Sequence, residues 1–148
     1  SPFVIGLLAE GFAGRPIHVV FGNNDGDLFR IAQNAGRAER VTLHGEVFRG
    51  ELGGKRIFVN HYPDIARAVD TGAYDLICYG HNHLFAIDRI GTTLLVNPGA
   101  ILGYEPGGKR DIPATFVVYD TETTMATAYQ VLAESVGGVI ERRVVAYP

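Results

Sequence analysis

Cysteine is nearly absent from this 148-residue sequence, and long apolar runs are missing altogether. A single cysteine, Cys78, excludes an internal disulfide, and its place in an apolar run predicts a buried core residue. No apolar stretch approaches the 18 residues or so that a membrane-spanning helix needs. The first residues also lack the charged segment, apolar stretch and cleavage site of a secretory signal. We therefore expect a cytoplasmic protein.

Strong charge of either sign is also missing. The formal net charge is −3, and the basic residues form no run longer than Arg142-Arg143. Nucleic-acid and acidic-membrane surfaces are recognised through clustered positive charge, so neither partner is indicated. A small soluble substrate is the expected partner, and the sequence predicts no particular oligomeric state.

Apolar residues make up 47% of the chain, enough to bury the core of one domain over residues 1–148. The first half alternates strands and helices, with helices expected to begin at Pro2, near Gly26-Asp27 and at Pro63. Hairpins dominate the second half, and Gly53-Gly54 is a strong turn signal between two alternating runs. This order predicts an α/β sandwich in which parallel strands join antiparallel hairpins.

Polar residues follow four apolar strands at their carboxyl ends. The stretches are FGNND (21–25), VNHYP (59–63), YGHNH (79–83) and VNPGA (96–100). Open α/β sheets gather their ligand sites at the carboxyl ends of strands. These four ends are therefore expected to meet at one crevice.

The five histidines are not equivalent in this respect. His18 lies within a strand and His44 in a turn, so structural roles are expected for both. His81 and His83 are two positions apart, which in an extended segment puts them on one side with Cα atoms about 6–7 Å apart. That arrangement suits two metals about 3.5–4 Å apart. His61 and Asn23 supply further nitrogen and oxygen donors at neighbouring strand ends.

Together these motifs resemble a known family. GNND at residues 22–25, the strand-terminal His61, GHNH at 80–83 and NPG at 97–99 are similar to the signature set of the calcineurin-like metallophosphoesterases. The likeness is greatest to their small microbial phosphodiesterases, the branch to which the retromer subunit Vps29 is also similar. It implies a four-layer α/β sandwich with two mixed β-sheets and two divalent metal ions, either Mn, Fe, Ni or Zn.

The same resemblance implies roles for individual residues. Asn23, His61 and His81 would bind the second metal and His83 the first. A hydroxide bridging both ions would attack phosphorus, and Asn24 and Asp25 would occupy catalytic positions. The alternatives for Asp25 are that it positions Asn24 or that it caps the helix beginning near Gly26-Asp27. The NPG turn would lie at the rim of the site or serve only as a tight turn.

Three features depart from the family pattern. Many relatives have histidine where this chain has Asn24, which can donate a hydrogen bond but cannot supply a proton near neutral pH. Tyr62-Pro63 stands where relatives often have Gly-His. In the family, D-x-H and G-D motifs upstream of this set supply the carboxylate and histidine of the first metal and the aspartate that bridges both ions, and neither motif occurs before His18. We therefore expect an N-terminal segment that precedes the 148 residues.

Three functions remain open from the sequence. The first is a dinuclear metal-dependent phosphodiesterase or phosphatase acting on a small phosphoester. The second is a non-catalytic interaction scaffold on the same fold, in the manner of Vps29, which Asn24, Tyr62 and the missing carboxylates favour. The third is a β-rich binding domain with unrelated histidines.

Overall fold

A computed structural model describes residues 1–136 and 139–148. The helices are α1 (Pro2–Gly11), α2 (Leu28–Arg37) and α3 (Pro63–Ala68), with a single 3₁₀ turn at Thr71–Ala73. The strands within the described ranges are β1 (Ile17–Val19), β2 (Val41–Leu43), β3 (Val47–Leu52), β4 (Lys55–Asn60), β5 (Leu76–Cys78), β6 (Ala86–Ile90), β7 (Thr93–Asn97), β8 (Tyr104–Glu105), β9 (Arg110–Asp111), β10 (Ala114–Asp120), β11 (Met125–Val136) and β12 (Val139–Ala146).

The centre of the molecule is a mixed five-stranded sheet in the order β3-β4-β5-β7-β6. Its three inner strands are parallel, while β3 and β6 are antiparallel edges. The β3-β4 hairpin turns at Gly53 and Gly54, whose φ angles are 57° and 72°. Two successive positive φ angles are typical of the turn that fits hairpin twist, which confirms the predicted turn.

Both faces of this sheet are buried, because neighbouring residues of each inner strand point to opposite sides. One face packs against α3 through a cluster of buried side chains: Phe58, Ala66, Ile77, Tyr79 and Leu95. The other face packs against residues of β10 and β11 and the end of β1 through a second cluster: Phe48, Ile57, Leu76, Leu94 and Val96. Near-continuous apolar strands such as Leu94–Val96 are the sequence counterpart of this two-sided burial.

A second layer of strands covers the second cluster, and α1 and α2 form the outer layer beyond it. β1 and β2 are a parallel pair, whose other side packs on Ile5 of α1 and on Ile31 and Ala35 of α2. β10, β11 and β12 form an antiparallel sheet. The expected four-layer α/β sandwich is therefore confirmed, with α3, two strand layers and α1-α2. Its second strand layer consists of two separately hydrogen-bonded parts rather than one continuous sheet.

Some boundaries differ from the prediction. The polar loop around residues 104–111 is a short hairpin, β8-β9. The helix beginning at Pro63 is short and ends at Ala68. Gly36 does not end α2. The helix continues to Arg37 and ends where Ala38 adopts an extended conformation. No helix in the described part of the chain combines the length and apolar character required to span a bilayer.

Candidate metal centre

The first part of the site is the turn that follows β1. Asp25 closes this turn by accepting a hydrogen bond from the backbone N–H of Gly22 at 2.9 Å. Burial raises the pKa of the Asp25 carboxyl, whereas the hydrogen bond from the Gly22 N–H lowers it. Asp27, and not Asp25, caps α2 by accepting from the N–H of Arg30 at 3.1 Å. The turn holds Asn23 and Asn24 exposed to solvent.

The second part comes from the end of β4. Asn60 is buried, and its side chain donates to the Glu46 carbonyl at 3.0 Å and accepts from the Tyr62 N–H at 2.7 Å. These two bonds fix the chain on both sides of His61. Gly22 makes room for the imidazole, since a Cβ there would lie 2.9 Å from His61 Cε1.

The third part is the loop after β5, residues 80–83. The expected extended segment is not found: His81 and His83 have φ angles of 73° and 62°, a left-handed conformation that costs free energy for any residue with a Cβ. Asn97 anchors this loop. It is buried, and its side-chain amide donates a hydrogen bond to Asn82 Oδ1 at 2.7 Å. Asn97 Oδ1 accepts from the Gly99 N–H at 3.1 Å, so the NPG turn and the histidine loop share one anchor.

Three of the predicted ligands converge. His61 Nε2 is 2.8 Å from Asn23 Oδ1, and His81 Nδ1 is 3.2 Å from both of those atoms. Bonds of about 2.0–2.2 Å at roughly 90–110° around one ion separate donor atoms by about 2.9–3.5 Å. The triangle of Asn23, His61 and His81 therefore has the size of one face of a metal coordination shell.

His83 lies beside this triangle without a hydrogen bond to it in the described structure. Its Nδ1 donates to the Tyr104 carbonyl at 2.9 Å, so Nε2 carries the free lone pair. A hydrogen bond from the other ring nitrogen is the usual way in which a metal-binding histidine is oriented.

Electrostatics favour the neutral, metal-binding form of His61. Burial is the largest cause that lowers its pKa, and the neighbouring His81 lowers it further, whereas Asp25 opposes them. A neutral imidazole is the form that binds metals. Within residues 1–136 and 139–148, however, no group of three or more His, Cys, Asp or Glu side chains is gathered. The third donor of the triangle is an amide.

The predicted set omits three residues that shape the site. Asn60 and Asn97 are the buried anchors described above, and the Tyr62 ring lies 5.2 Å from that of His61 and 5.0 Å from that of His81. The signal for the anchors is visible in the sequence, because the same Val-Asn pair ends β4 and β7. An asparagine at the last position of a buried strand can hold the loop that follows.

A family model described as the calcineurin-like phosphoesterase superfamily domain matches residues 2–124. The chain belongs to this superfamily. Membership sets aside the alternative of an unrelated β-rich binding domain, and it agrees with the order of the four motifs at the strand ends.

Two relatives are similar to this chain in sequence. The chain is 28% identical over 109 residues to phosphodiesterase MJ0936 of Methanocaldococcus jannaschii, covering 72% of this chain and 63% of that protein. It is 35% identical over 89 residues to the probable metallophosphoesterase YsnB of Bacillus subtilis, covering 58% of this chain and 48% of that protein. The chain thus spans about half to two thirds of the length of these relatives.

Solved structures share the fold. An archaeal phosphodiesterase superimposes with a TM-score of 0.70 at 23% identity, covering 99% of this chain and 77% of that one. A Vps29 mutant from Entamoeba histolytica gives a TM-score of 0.54 at 17% identity, covering 96% and 89%. Wild-type Vps29 of that organism, solved in complex with zinc, gives 0.51 at 19% identity, covering 99% and 89%. At these identities the likeness establishes the fold alone.

Proposed function

We propose that the protein is a metal-dependent phosphoesterase that hydrolyses a phosphodiester, or a phosphomonoester, of a small molecule. The observation that carries the proposal is the triangle of Asn23 Oδ1, His61 Nε2 and His81 Nδ1, whose sides are 2.8 to 3.2 Å. Superfamily membership supports the same reaction class. A cytoplasmic location belongs to the proposal as well, on the strength of the sequence.

The donor set suits divalent ions of intermediate softness, so Mn, Fe, Ni or Zn are the candidates. Asn23, His61 and His81 would hold the second of two ions, and His83 would contribute to the first through Nε2. The other ligands of the first ion, carboxylates above all, would come from a segment outside the 148 residues. Bound divalent ions stabilise charge on phosphoryl oxygens and lower the pKa of water.

Residues of the turn after β1 would act beside the metal ions. Asn24 would donate a hydrogen bond to the phosphate or to the leaving oxygen, and Asp25 would hold the turn that presents it. Because an amide supplies no proton near neutral pH, we expect esters with good leaving groups to be hydrolysed fastest. Asn24→His should increase turnover of an alkyl ester more than that of an aryl ester, and equal effects would remove this role for Asn24.

A second candidate function is a non-catalytic scaffold on the same fold. It is favoured by exposed apolar side chains near the His83 loop, where Leu84, Ile101 and Leu102 are 52%, 62% and 64% exposed. Exposed apolar patches of this kind mark contact surfaces for other proteins. The Tyr62 ring beside both histidines also distinguishes this site from the usual family pattern.

Metal content and hydrolysis together decide between the two. The full-length protein, loaded with manganese, should bind about two ions per chain and hydrolyse bis(p-nitrophenyl) phosphate. His61→Gln and His81→Gln should each lose ions and activity, whereas Glu141→Gln, an exposed control on β12, should lose neither. Folded protein that binds no manganese and is inactive would support the scaffold instead.

A further inference from the structure

Two histidines expected to be structural form a pair on the side of the sandwich, away from the strand-end site. His18 lies in β1, His44 directly follows β2, and His18 Nδ1 is 2.9 Å from His44 Nε2. The rings are stacked with their centroids 5.1 Å apart. His18 is exposed and His44 is partly exposed.

The backbone fixes the separation of the two residues. β1 and β2 run parallel with His18 opposite Thr42, and the N–H of His44 donates to the Val19 carbonyl at 2.9 Å. The next turn residue, Gly45, accepts from the N–H of Phe21 at 2.7 Å. His44 is therefore tied to β1 on both sides of its own position, which keeps its backbone beside that of His18.

A buried aromatic ring supports the pair from below. The Phe48 ring centroid lies 5.1 Å from that of His18 and 4.7 Å from that of His44, and Phe48 is only 7% exposed. Gly50 leaves space for the Phe48 ring, because a Cβ at position 50 would lie 2.8 Å from Phe48 Cζ. Both imidazole rings thus pack on a buried apolar side chain, and one nitrogen of each ring faces the other ring.

We propose that His18 and His44 form a separate site for a divalent transition metal, with Cu²⁺ bound most tightly. Two bonds of about 2.0–2.1 Å at a right angle span about 2.9 Å, and right-angled ligand pairs are typical of square-planar Cu²⁺ and Ni²⁺. Imidazole is a preferred ligand of both, and affinity for copper is the highest in the divalent series.

Two imidazoles alone would not fill the coordination shell of the ion. In the part of the chain that the structure describes, no third His, Cys, Asp or Glu joins the pair. Water or a small anion would therefore complete the coordination, and the ion would remain exchangeable. Because it would hold β1 and β2 together in the native state only, it would also stabilise the fold.

The test is a copper titration of full-length protein in a His61→Gln/His81→Gln background, which removes both histidines of the strand-end triangle. Calorimetry should detect one tight Cu²⁺ site, and electron paramagnetic resonance should show two imidazole nitrogens bound to it. Adding either His18→Gln or His44→Gln should abolish that signal. Copper binding of unchanged affinity in both of these variants would overturn the proposal, since the ion would then lie elsewhere.

A measurement on the unaltered protein removes any dependence on the folding of variants. Histidines accessible to solvent react with diethylpyrocarbonate, and mass spectrometry locates the modified residues. Saturating Cu²⁺ should protect His18 and His44 together. Undiminished modification of both residues in the presence of copper would contradict the site, whatever happens at His61 and His81.

Discussion

At the amino-terminal end of the five-stranded sheet, the polar side chains form hydrogen bonds between complementary groups. At the carboxyl end, three polar side chains face each other in an arrangement that can bind a ligand. Asp75 accepts from the backbone and the guanidinium of Arg56 at 2.8 to 3.3 Å. Thr93 is buried, and its hydroxyl donates to the carbonyls of Thr71 and Tyr74. At the other end Asn23 Oδ1, His61 Nε2 and His81 Nδ1 lie 2.8 to 3.2 Å from one another, and each ring nitrogen can accept a hydrogen bond or bind a metal when it carries no proton.

Arg56 and His61 lie at opposite ends of β4, and Asp75 and His81 at opposite ends of β5, so apolar burial of these strands cannot explain the difference. Closing the amino-terminal end requires only pairs of complementary groups, which contribute to stability. Gathering like acceptors costs stability unless a cation or a proton lies between them. The contrast assigns stability to one end of the sheet and ligand binding to the other, and substitutions at each end can break or sharpen it.

The largest effect should come from removing a donor of the triangle. His61→Gln should leave the unfolding midpoint close to that of the wild type but reduce metal binding and phosphodiesterase activity severely. Changes in groups that merely orient ligands already cost about 10–100-fold, so loss of a ligand should exceed that. Metal analysis and steady-state kinetics on the full-length protein check this. Activity within a fewfold of wild type would refute the role of His61.

Asn97→Leu should damage both stability and function. The substitution leaves the N–H of Gly99 and the side chain of Asn82 without their buried partner, at a cost of about 1–3 kcal/mol. Urea unfolding measures that loss. The His81 loop should loosen at the same time, and metal affinity should fall. Full stability would show that Asn97 anchors nothing.

Gly22→Ala should act on the site with little effect on the fold. The new Cβ would press on the His61 ring, 2.9 Å away, and move it from Asn23. Gly26→Ala is the matched control in the same turn, because nothing lies within 4 Å of a Cβ there. Kinetics should show reduced kcat/KM for the first variant and not the second. Equal behaviour of the two would mean that the Gly22 contact is unimportant.

The smallest effect is expected at the amino-terminal end. Arg56 lowers the pKa of Asp75 below its ordinary value of 3.8, through side-chain and backbone hydrogen bonds. A lowered pKa contributes stability above about pH 4 that is lost as the pH falls through the folded-state value. Asp75→Asn should therefore be slightly less stable than wild type at pH 6, and this difference should shrink below pH 4. A difference independent of pH would place its cause elsewhere.

Much of the fold follows from patterns in the sequence. The apolar runs that end in asparagine, cysteine or histidine predict the parallel strands, and paired glycines predict the β3-β4 turn. β2 escapes prediction because it has only three residues, Val41–Leu43, and exists through pairing with β1. The short hairpin from Tyr104 to Asp111 is equally hidden, since glycine and charged residues there resemble an open loop.

The candidate site divides in the same way. The motifs predict that Asn23, His61 and His81 meet, because strand ends converge. They do not predict the hydrogen bond of His83 to Tyr104, which joins residues from separate hairpins, or the pairing of His18 with His44, which depends on the β1-β2 register. The roles of these residues in metal binding and catalysis, and a single domain over residues 1–148, stay predictions.

The left-handed backbone of His81 and His83 has an evolutionary consequence. Each such residue costs about 1–3 kcal/mol that glycine would avoid, so replacement of either histidine by glycine offers the protein an accessible gain in stability. Selection for stability alone would therefore favour glycine at both positions. Histidine at both positions thus points to selection for what the imidazoles do.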